Sequence, residues 1–243
     1  MRRALAFTAL LLSAGWSMAV MAQTQTQTAA AQSAPASAAP FGMPVNDEAV
    51  FAHLLVDQFE ARLGDSSALR WDAQAWVGTD ENRLYLLTEG ENHAGIVTDG
   101  QQELLYDRPL SPFFDLRAGV RSDLDSASRR TWAALGFAGV APYFVEVSAT
   151  LYASDTGHYA ARVTASYDLL LTQHLILAPG VELNAYSKAE PGRRVDSGLS
   201  GIDAGLRLRY EITRKFAPYL GVSYERGIAR SDTRVALGVR AWL

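Results

Sequence analysis

The chain has 243 residues, no cysteine, and 22 basic against 26 acidic side chains, which gives a formal net charge of −4. The absence of cysteine excludes a disulfide scaffold, a thiolate metal site and a cysteine nucleophile. The mildly acidic balance lacks the basic patches that bind nucleic acid, so we expect no nucleic-acid partner.

Residues 1–22 have the three parts of a secretory signal peptide. Arg2 and Arg3 make the start positive, residues 4–20 are apolar, and Val20, Met21 and Ala22 form a small-x-small cleavage site. A membrane anchor is the alternative, but the apolar run is short and a polar tract follows it. We therefore expect cleavage after Ala22.

Residues 23–44 are expected to form a disordered periplasmic tail. Residues 23–40 consist only of Gln, Thr, Ala, Ser and Pro, without a charge or an aromatic ring. Such a segment cannot bury enough apolar surface to offset the entropy lost on ordering. The folded domain is then expected to comprise residues 45–243.

From about residue 50 to the last residue, short segments alternate apolar and polar side chains. In residues 202–212, every even position is apolar or aromatic, and every odd position is charged or glycine. Successive strand residues point to opposite faces, so each strand has one apolar and one charged face. About twelve such segments behind a signal peptide predict an all-β fold, a transmembrane antiparallel β-barrel. The predicted strands span residues 50–63, 68–78, 83–91, 102–108, 113–122, 130–139, 143–154, 159–170, 175–187, 201–212, 216–226 and 232–243.

An eight-stranded barrel is the main alternative in strand number. It would have to merge residues 143–153 with 159–170, although the turn residues 154–158 separate them. The connections between strands support an even number of strands. Short connections alternate, imperfectly, with the longer connections predicted at 92–101, 122–129 and 188–200. Both chain termini should then lie in the periplasm, on the side of the short turns.

The apolar faces are expected to contact lipid, and aromatic residues near strand ends are expected to form interfacial girdles. The predicted lipid-facing residues include Leu69, Trp71, Ala73, Ala75, Val77, Phe114, Leu116, Ala118, Val120, Val145, Val147, Ala149, Leu151, Val235, Leu237, Val239, Ala241 and Leu243. The predicted girdle residues are Phe113, Phe114, Tyr143, Phe144, Phe216, Tyr219 and Trp242.

The opposite faces carry thirteen acids and ten bases. The acids are Glu60, Asp72, Glu89, Glu91, Glu103, Asp107, Asp115, Glu146, Asp168, Glu182, Asp203, Glu211 and Glu225, and the bases are Arg62, Arg70, Arg83, Arg117, Arg121, Arg162, Arg207, Arg209, Arg234 and Arg240. A selective ion channel favours one sign of charge, whereas this near-balance favours ion pairs that cross-link the interior. The alternative is a narrow, slightly acidic path that holds or passes a cation.

The histidines give little support to catalysis. A barrel lipase needs a serine and a histidine near the outer interface, but no Gly-x-Ser-x-Gly motif is present. His93 and His158 fall in predicted outer loops and His174 in a predicted periplasmic turn, so we expect no enzyme. His53, at the start of the first strand, is either a buried histidine paired with a lumen acid or a metal ligand near the periplasmic mouth.

Several stretches resemble the copper resistance protein B (CopB/PcoB) family of outer-membrane proteins, over essentially all of residues 45–243. They are HLLVDQ (53–58), WDA (71–73), WVG (76–78), TEGE (88–91), ELLY (103–106), RTWAALG (130–136), YDLLLTQ (167–173), ELNAY (182–186), GLRLRYEI (205–212) and FAPY (216–219). The resemblance implies a barrel in the outer membrane of a Gram-negative bacterium. It would contact lipid and copper ions and support copper tolerance alongside a periplasmic multicopper oxidase.

One departure from the family bears on copper. Many members carry a Met- and His-rich N-terminal segment, whereas here only Met43 remains beyond the signal peptide. Thioethers suit Cu(I) and imidazole suits Cu(II), while carboxylates are poorer copper ligands. The candidate ligands are His53 and Met43, with Glu89 and Glu91 on one side of the third strand. We expect copper to bind weakly or transiently and expect no other cofactor.

Two functional hypotheses follow from the resemblance. In the first, the barrel binds copper or passes it at the outer membrane. In the second, it is a structural or docking barrel for a periplasmic copper-handling partner and has no metal path of its own. Copper binding by the barrel separates the two.

Overall fold

The structure, a computed structural model, describes residues 49–124, 130–190, 195–227 and 231–243. The predicted signal peptide and the predicted tail lie outside the described residues. In the described residues, no helix is both long and apolar enough to cross a membrane.

The described chain is almost entirely β-strand. The strands are β1 Phe51–Leu63, β2 Ala68–Gly78, β3 Arg83–His93, β4 Ile96–Pro109, β5 Phe114–Asp123, β6 Thr131–Ala141, β7 Val145–Ser154, β8 Tyr159–Ser166, β9 Leu169–Leu170, β10 Leu175–Tyr186, β11 Gly198–Tyr210, β12 Phe216–Arg226 and β13 Ser231–Trp242. A 3₁₀ turn, Pro142–Phe144, joins β6 to β7. Segments β8 and β9 both pair with β10, so they are one strand interrupted at Tyr167 and Asp168.

The strands close into a twelve-stranded antiparallel barrel, as the sequence predicted. Each strand pairs with its neighbours in chain order, and β13 pairs back onto β1 from Leu55 with Trp242 to Leu63 with Val235. Closure leaves no strand of the described barrel with a free edge. Closure also pairs the backbone N–H and C=O groups, which hydrocarbon cannot solvate. Strands can cross a membrane only when these groups are paired in this way.

The apolar faces point outward. Along β11, Leu206 and Leu208 are 49% and 40% exposed, whereas Arg209 on the inner face is 6% exposed. Leu206 lies opposite Val222 of β12, which is also exposed, so neighbouring strands extend the same apolar band. The period-two alternation therefore sorts lipid-facing from lumen-facing residues as predicted.

The two ends of the barrel differ in their connections. The terminal end holds the start of β1, the end of β13 and the short turns 79–82, 110–113, 142–144, 171–174 and 211–215. The loop end holds the connections 64–67, 94–95, 124–130, 155–158, 187–197 and 227–230. The longest connections are at the loop end, so the terminal end corresponds to the periplasmic side of outer-membrane barrels.

The long loop predicted at 92–101 is wrong. Strands β3 and β4 continue through this region and meet in a two-residue turn, Ala94 and Gly95, with φ of 52° and 92°. Positive φ at both central residues gives the turn a twist that matches a hairpin. The Asn92 side chain accepts a hydrogen bond from the Gly95 amide at 2.8 Å. The polar residues that suggested a loop are therefore part of an extended hairpin.

Two aromatic assignments are also wrong. Tyr219 is 6% exposed and faces the lumen, where its hydroxyl donates to Glu60 at 2.9 Å. Trp242 packs against His53, with ring centroids 5.8 Å apart, and donates from Nε1 to the carbonyl of Arg214. Tyr219 bonds inside the lumen and Trp242 bonds a carbonyl of the terminal-end turn 211–215, and position near a strand end reveals neither contact. Phe113, Tyr143 and Phe144 are exposed at the terminal end, and their place in an interfacial girdle stays a prediction.

Candidate metal site and the barrel lumen

The lumen near β1 is organised around Glu60, which is fully buried. Its carboxylate accepts from Nε of Arg62 at 2.8 Å and from Nε of Arg207 at 2.9 Å, in addition to the Tyr219 hydroxyl. Arg62 is also fully buried and donates onward to Asp203 at 2.7 Å. These charge-assisted bonds connect β1, β11 and β12 across the interior.

A second cluster surrounds Arg162 of β8. Its guanidinium lies 2.6 Å from Glu89 of β3, 3.4 Å from Glu182 of β10 and 4.0 Å from Glu103 of β4. Tyr152 of β7 donates its hydroxyl to Glu103 at 2.7 Å. One arginine thus ties together strands on opposite sides of the barrel.

Removing the Tyr152 hydroxyl tests the strength of this cluster. Tyr152 is 3% exposed, and Tyr152→Phe would leave one oxygen of the buried Glu103 without its partner. Because a bond to a charged group contributes about 1.5–3 kcal/mol, we expect the free energy of unfolding in lipid vesicles to fall by that amount. Tyr159→Phe, at a 62% exposed tyrosine, is the matched control and should be nearly neutral. Equal effects of the two changes would contradict the role of the bond.

Every predicted lumen arginine forms an ion pair. All ten predicted arginines lie within 4.0 Å of a carboxylate, which agrees with the interpretation that the charges cross-link the interior. Three of the predicted acids, Asp72, Glu146 and Glu211, form no ion pair with a described residue. Some carboxylates are therefore left in the lumen after every arginine is paired. Asp72 lies in the middle of β2, and Glu146 and Glu211 lie near the terminal end.

The lumen holds small spaces beside these free carboxylates. A cavity of about 350 Å³ opens at the terminal end, where the strand formed by β8 and β9 is interrupted, and Glu146 and Asp168 are among its lining residues. A second cavity, of about 30 Å³, is lined by Asp72, Glu89 and Glu103 among others. The second has room for a single water or a small ion, not for an organic solute.

The structure separates the predicted metal ligands. His53 faces the lumen at the terminal end, and Met43 lies outside the described residues. Glu89 and Glu91 face the lumen together, as expected, but Glu89 pairs with Arg162, whereas Glu91 pairs with Arg234. The cross-strand ladder runs from His53 to Trp76 and from Trp76 to Tyr85. Glu89 and Glu91 therefore lie about 13 and 20 Å farther along β3 than Tyr85, the residue level with His53.

The surroundings of His53 are aromatic. Its ring is stacked between Trp76, at a centroid distance of 6.1 Å, and Trp242, at 5.8 Å, with interplanar angles of 20° and 25°. Nδ1 is buried without a hydrogen-bond partner, and neither ring nitrogen bonds to a described residue. An unsatisfied buried polar atom costs about 1–3 kcal/mol, so the site carries an unused donor or acceptor.

The other three histidines have polar partners. His93 lies 3.5 Å from Glu91, His158 lies 3.4 Å from Glu190, and Nδ1 of His174 lies 3.0 Å from the carbonyl oxygen of Glu211. No group of three or more His, Cys, Asp or Glu side chains is arranged to hold a metal ion in the parts of the chain that the structure describes.

The sequence interpretation missed Trp76 and Trp242 as neighbours of His53. A signal was available, because Trp76 shares the parity of Arg70 and Asp72 on the lumen face of β2. Trp242 likewise shares the parity of Arg240. Two tryptophans on a charged face of a barrel are unexpected for lipid contact and should have been weighed as part of the site.

Comparison with known proteins fixes the family. The model of the family described as "Copper resistance protein B precursor (CopB)" matches residues 50–242, which includes every strand. The chain belongs to the copper resistance protein B family. The resemblance of the sequence stretches is confirmed, and with it the location in the outer membrane of a Gram-negative bacterium.

Curated CopB relatives support the same membership. The chain is 42% identical over 214 residues to a copper resistance protein B homolog of Pseudomonas syringae pv. tomato, covering 83% of this chain and 73% of that protein. It is 42% identical over 186 residues to copper resistance protein B of Escherichia coli, covering 76% of this chain and 63% of that protein. The chain thus spans less than two thirds of the length of the Escherichia coli protein.

The barrel also resembles a porin in fold. A solved structure of the NanC porin superposes with a TM-score of 0.54 at 15% identity, covering 77% of this chain and 98% of that chain. At this identity the likeness concerns the fold alone, which is that of an outer-membrane barrel.

Proposed function

We propose that this CopB-family barrel is not an enzyme and contributes to copper homeostasis by binding copper ions and passing them at the outer membrane. The observation that carries the proposal is the pairing pattern in the lumen. Every predicted lumen arginine is neutralised, while Asp72, Glu146 and Glu211 stay unpaired among the described residues. A lumen with this residual charge attracts cations and repels anions.

Transit rather than storage fits the ligand chemistry. Carboxylates are poor copper ligands compared with imidazole and thioether, so copper would stay only briefly at Asp72 or Glu146. Conduction needs sites that an ion can leave as well as enter. The expectation of weak or transient copper binding agrees with this picture.

The docking barrel is the second candidate function, and a different observation favours it. The turn between β6 and β7 exposes Tyr143 and Phe144 by 87% and 83% at the terminal end, and both have positive φ, at 66° and 63°. A non-glycine residue with positive φ is uncommon, so the turn holds these rings outward at a conformational cost. A periplasmic partner such as a multicopper oxidase would meet the barrel at this end.

A complementation experiment tests the proposed function. We expect a strain lacking the gene to grow poorly on copper, and the wild-type gene to restore growth and normal periplasmic copper. The triple variant Asp72→Asn, Glu146→Gln, Glu211→Gln should fold but fail to restore them, because it removes the unpaired charge. A matched variant, Asp80→Asn, Glu81→Gln, alters two acids in an exposed terminal-end turn and should restore growth.

The outcomes separate the two candidate functions. Full rescue by the triple variant would contradict copper passage and favour docking. Rescue that is lost when Tyr143 and Phe144 are both changed to serine, with the triple variant active, would support docking directly. A deletion strain with unchanged copper tolerance would contradict both.

A further inference from the structure

The side chain of Arg70, on β2, reaches across the lumen. Its guanidinium lies 3.6 Å from Glu182 of β10 and 3.8 Å from Asp203 of β11. By the shorter way round the closed sheet, four strands separate β2 from β10. Glu103 and Tyr152, in the adjoining cluster around Arg162, face the lumen but are almost inaccessible to water. This part of the lumen is therefore closed by side chains, and Arg70 is one of those that cross it.

The contacts that hold Arg70 across the lumen are long. Both distances exceed the 2.7–2.9 Å that is usual for a charge-assisted hydrogen bond, and Nε of Arg70 is buried without a hydrogen-bond partner. Arg62, by comparison, lies 2.8 Å from Glu60 and 2.7 Å from Asp203. A partly satisfied polar network is held less firmly than a fully satisfied one. The crossing made by Arg70 is therefore weaker than the contacts of Arg62.

The two carboxylates that Arg70 contacts have other arginine partners. Glu182 lies 3.4 Å from Arg162, and Asp203 accepts a hydrogen bond from Arg62 at 2.7 Å. Breaking a buried ion pair is costly when it leaves a charge without a partner. Because each carboxylate keeps an arginine, the departure of Arg70 leaves neither of them unpaired.

An alternative partner for Arg70 lies on its own strand. Asp72 is two residues farther along β2, on the same face, and forms no ion pair with a described residue. It also borders the cavity of about 30 Å³, so space is left beside its carboxylate. Asp72 is therefore placed to receive the guanidinium of Arg70.

The barrel already contains two pairs with this spacing. Arg62 lies 2.8 Å from Glu60 on β1, and Arg121 lies 2.9 Å from Asp123 on β5. In the second pair the arginine precedes the acid by two residues, which is also the order of Arg70 and Asp72. A pair along β2 thus has the spacing that two other strands use.

We propose that Arg70 gates the lumen by exchanging carboxylate partners. In the closed arrangement, which this structure shows, Arg70 reaches across to Glu182 and Asp203. In the open arrangement it lies along β2 and pairs with Asp72. Each arrangement gives the guanidinium a carboxylate partner, and packed interiors switch between such discrete arrangements. The use of this gate for copper passage rests on the proposed function.

Single-channel recording tests the gate. The purified full chain is inserted into planar lipid bilayers in potassium chloride, so the probe is a potassium current. The wild type should be closed for most of the record and open briefly. Arg70→Ala removes the crossing side chain and should be open for most of the record. Asp72→Asn removes the receiving carboxylate, so the open fraction should fall roughly tenfold, because the open arrangement loses a bond between charged groups.

Two further variants show whether Asp72 acts through Arg70. The double variant Arg70→Ala, Asp72→Asn should be as open as Arg70→Ala, because the carboxylate has no guanidinium to receive. Arg240→Ala is the matched control, since Arg240 pairs with Asp57 on the neighbouring strand and does not cross the lumen. It should open as often as the wild type. A gel mobility that changes on heating identifies each variant as a folded barrel.

Opposite effects of the two single substitutions distinguish a gate from a loss of packing, which would change both records in the same direction. Records of Arg70→Ala that match the wild type would overturn the gate. An Asp72→Asn barrel that opens as often as the wild type, or more often, would also overturn it, and this variant decides alone if Arg70→Ala does not fold.

Failure of the gate and failure of the proposed function give different results. The potassium current does not depend on copper, and the growth test does not depend on the current. Wild-type currents from Arg70→Ala, in a protein that still restores growth on copper, would overturn the gate alone. A gate that works in a protein whose deletion leaves copper tolerance unchanged would support the gate and contradict its use for copper.

Discussion

Replacing Glu60 with alanine should lower the free energy of unfolding of the barrel by about 3–5 kcal/mol, the cost of breaking a buried ion pair from one side. Glu60 and Arg62 are both fully buried, and Arg207 and Tyr219 donate to the same carboxylate. The alanine variant would leave a guanidinium in the interior without its nearest partner. Denaturant unfolding in lipid vesicles, followed by tryptophan fluorescence, measures the change.

A control variant separates the effect of burial on stability from the effect of losing a charge. Asp57→Ala also removes the partner of an arginine, Arg240 at 2.8 Å, but the two side chains are 43% and 26% exposed. An exposed pair contributes about 0–1 kcal/mol, so this variant should be close to wild type in stability. If Glu60→Ala proves no more destabilising than Asp57→Ala, the lumen cluster is solvated and does not hold the barrel together.

Glu60 also stabilises the pairing of β1 with β13, which closes the barrel. It lies on β1, directly opposite Gly238 of β13. A Cβ at Gly238 would approach the Tyr219 ring to 2.6 Å and the Cβ of Glu60 to 2.7 Å. Glycine at this position lets Tyr219 reach across β13 to Glu60. The closing pair of strands is therefore supported by a buried polar contact as well as by backbone hydrogen bonds.

The strands and their faces could be predicted from the sequence because both depend on local alternation. The period-two pattern of residues such as Leu206 and Arg207 holds whichever strands lie alongside. Partners across the lumen could not be predicted in the same way. The pairing of Arg62 with Asp203 depends on closure and on the register shift within β1 between Val56 and Gln58, and no local pattern reports either one.

The candidate metal site could likewise be predicted from the sequence only in part. His53 could be singled out from its place at the start of the first strand. Its contacts with Trp76 and Trp242 required knowledge of the ladder and of the closing seam. Glu89 and Glu91 were correctly placed on one face of β3, but their separate arginine partners come from strands distant in sequence. Residue type suggested these side chains as candidate ligands, and topology decided which of them meet.

Replacing Leu206 with arginine should destabilise the barrel by about 2–4 kcal/mol if the site lies near the bilayer midplane. Leu206 is 49% exposed on the apolar face, and its partners are Pro179 of β10 and Val222 of β12, both within the middle of their strands. A guanidinium there must leave water for hydrocarbon or reach far toward the headgroups. Unfolding in vesicles and the yield of inserted protein measure the effect.

Position along β11 supplies the control for Leu206→Arg. Leu199 lies on the same strand near the loop end and is 60% exposed. Arginine there can reach the lipid headgroups, so Leu199→Arg should cost about 0–1 kcal/mol. A small loss at Leu206 together with a small loss at Leu199 would mean that the face assigned to lipid is in contact with water. A large loss at Leu206 alone would show that the membrane's hydrocarbon core surrounds the middle of β11.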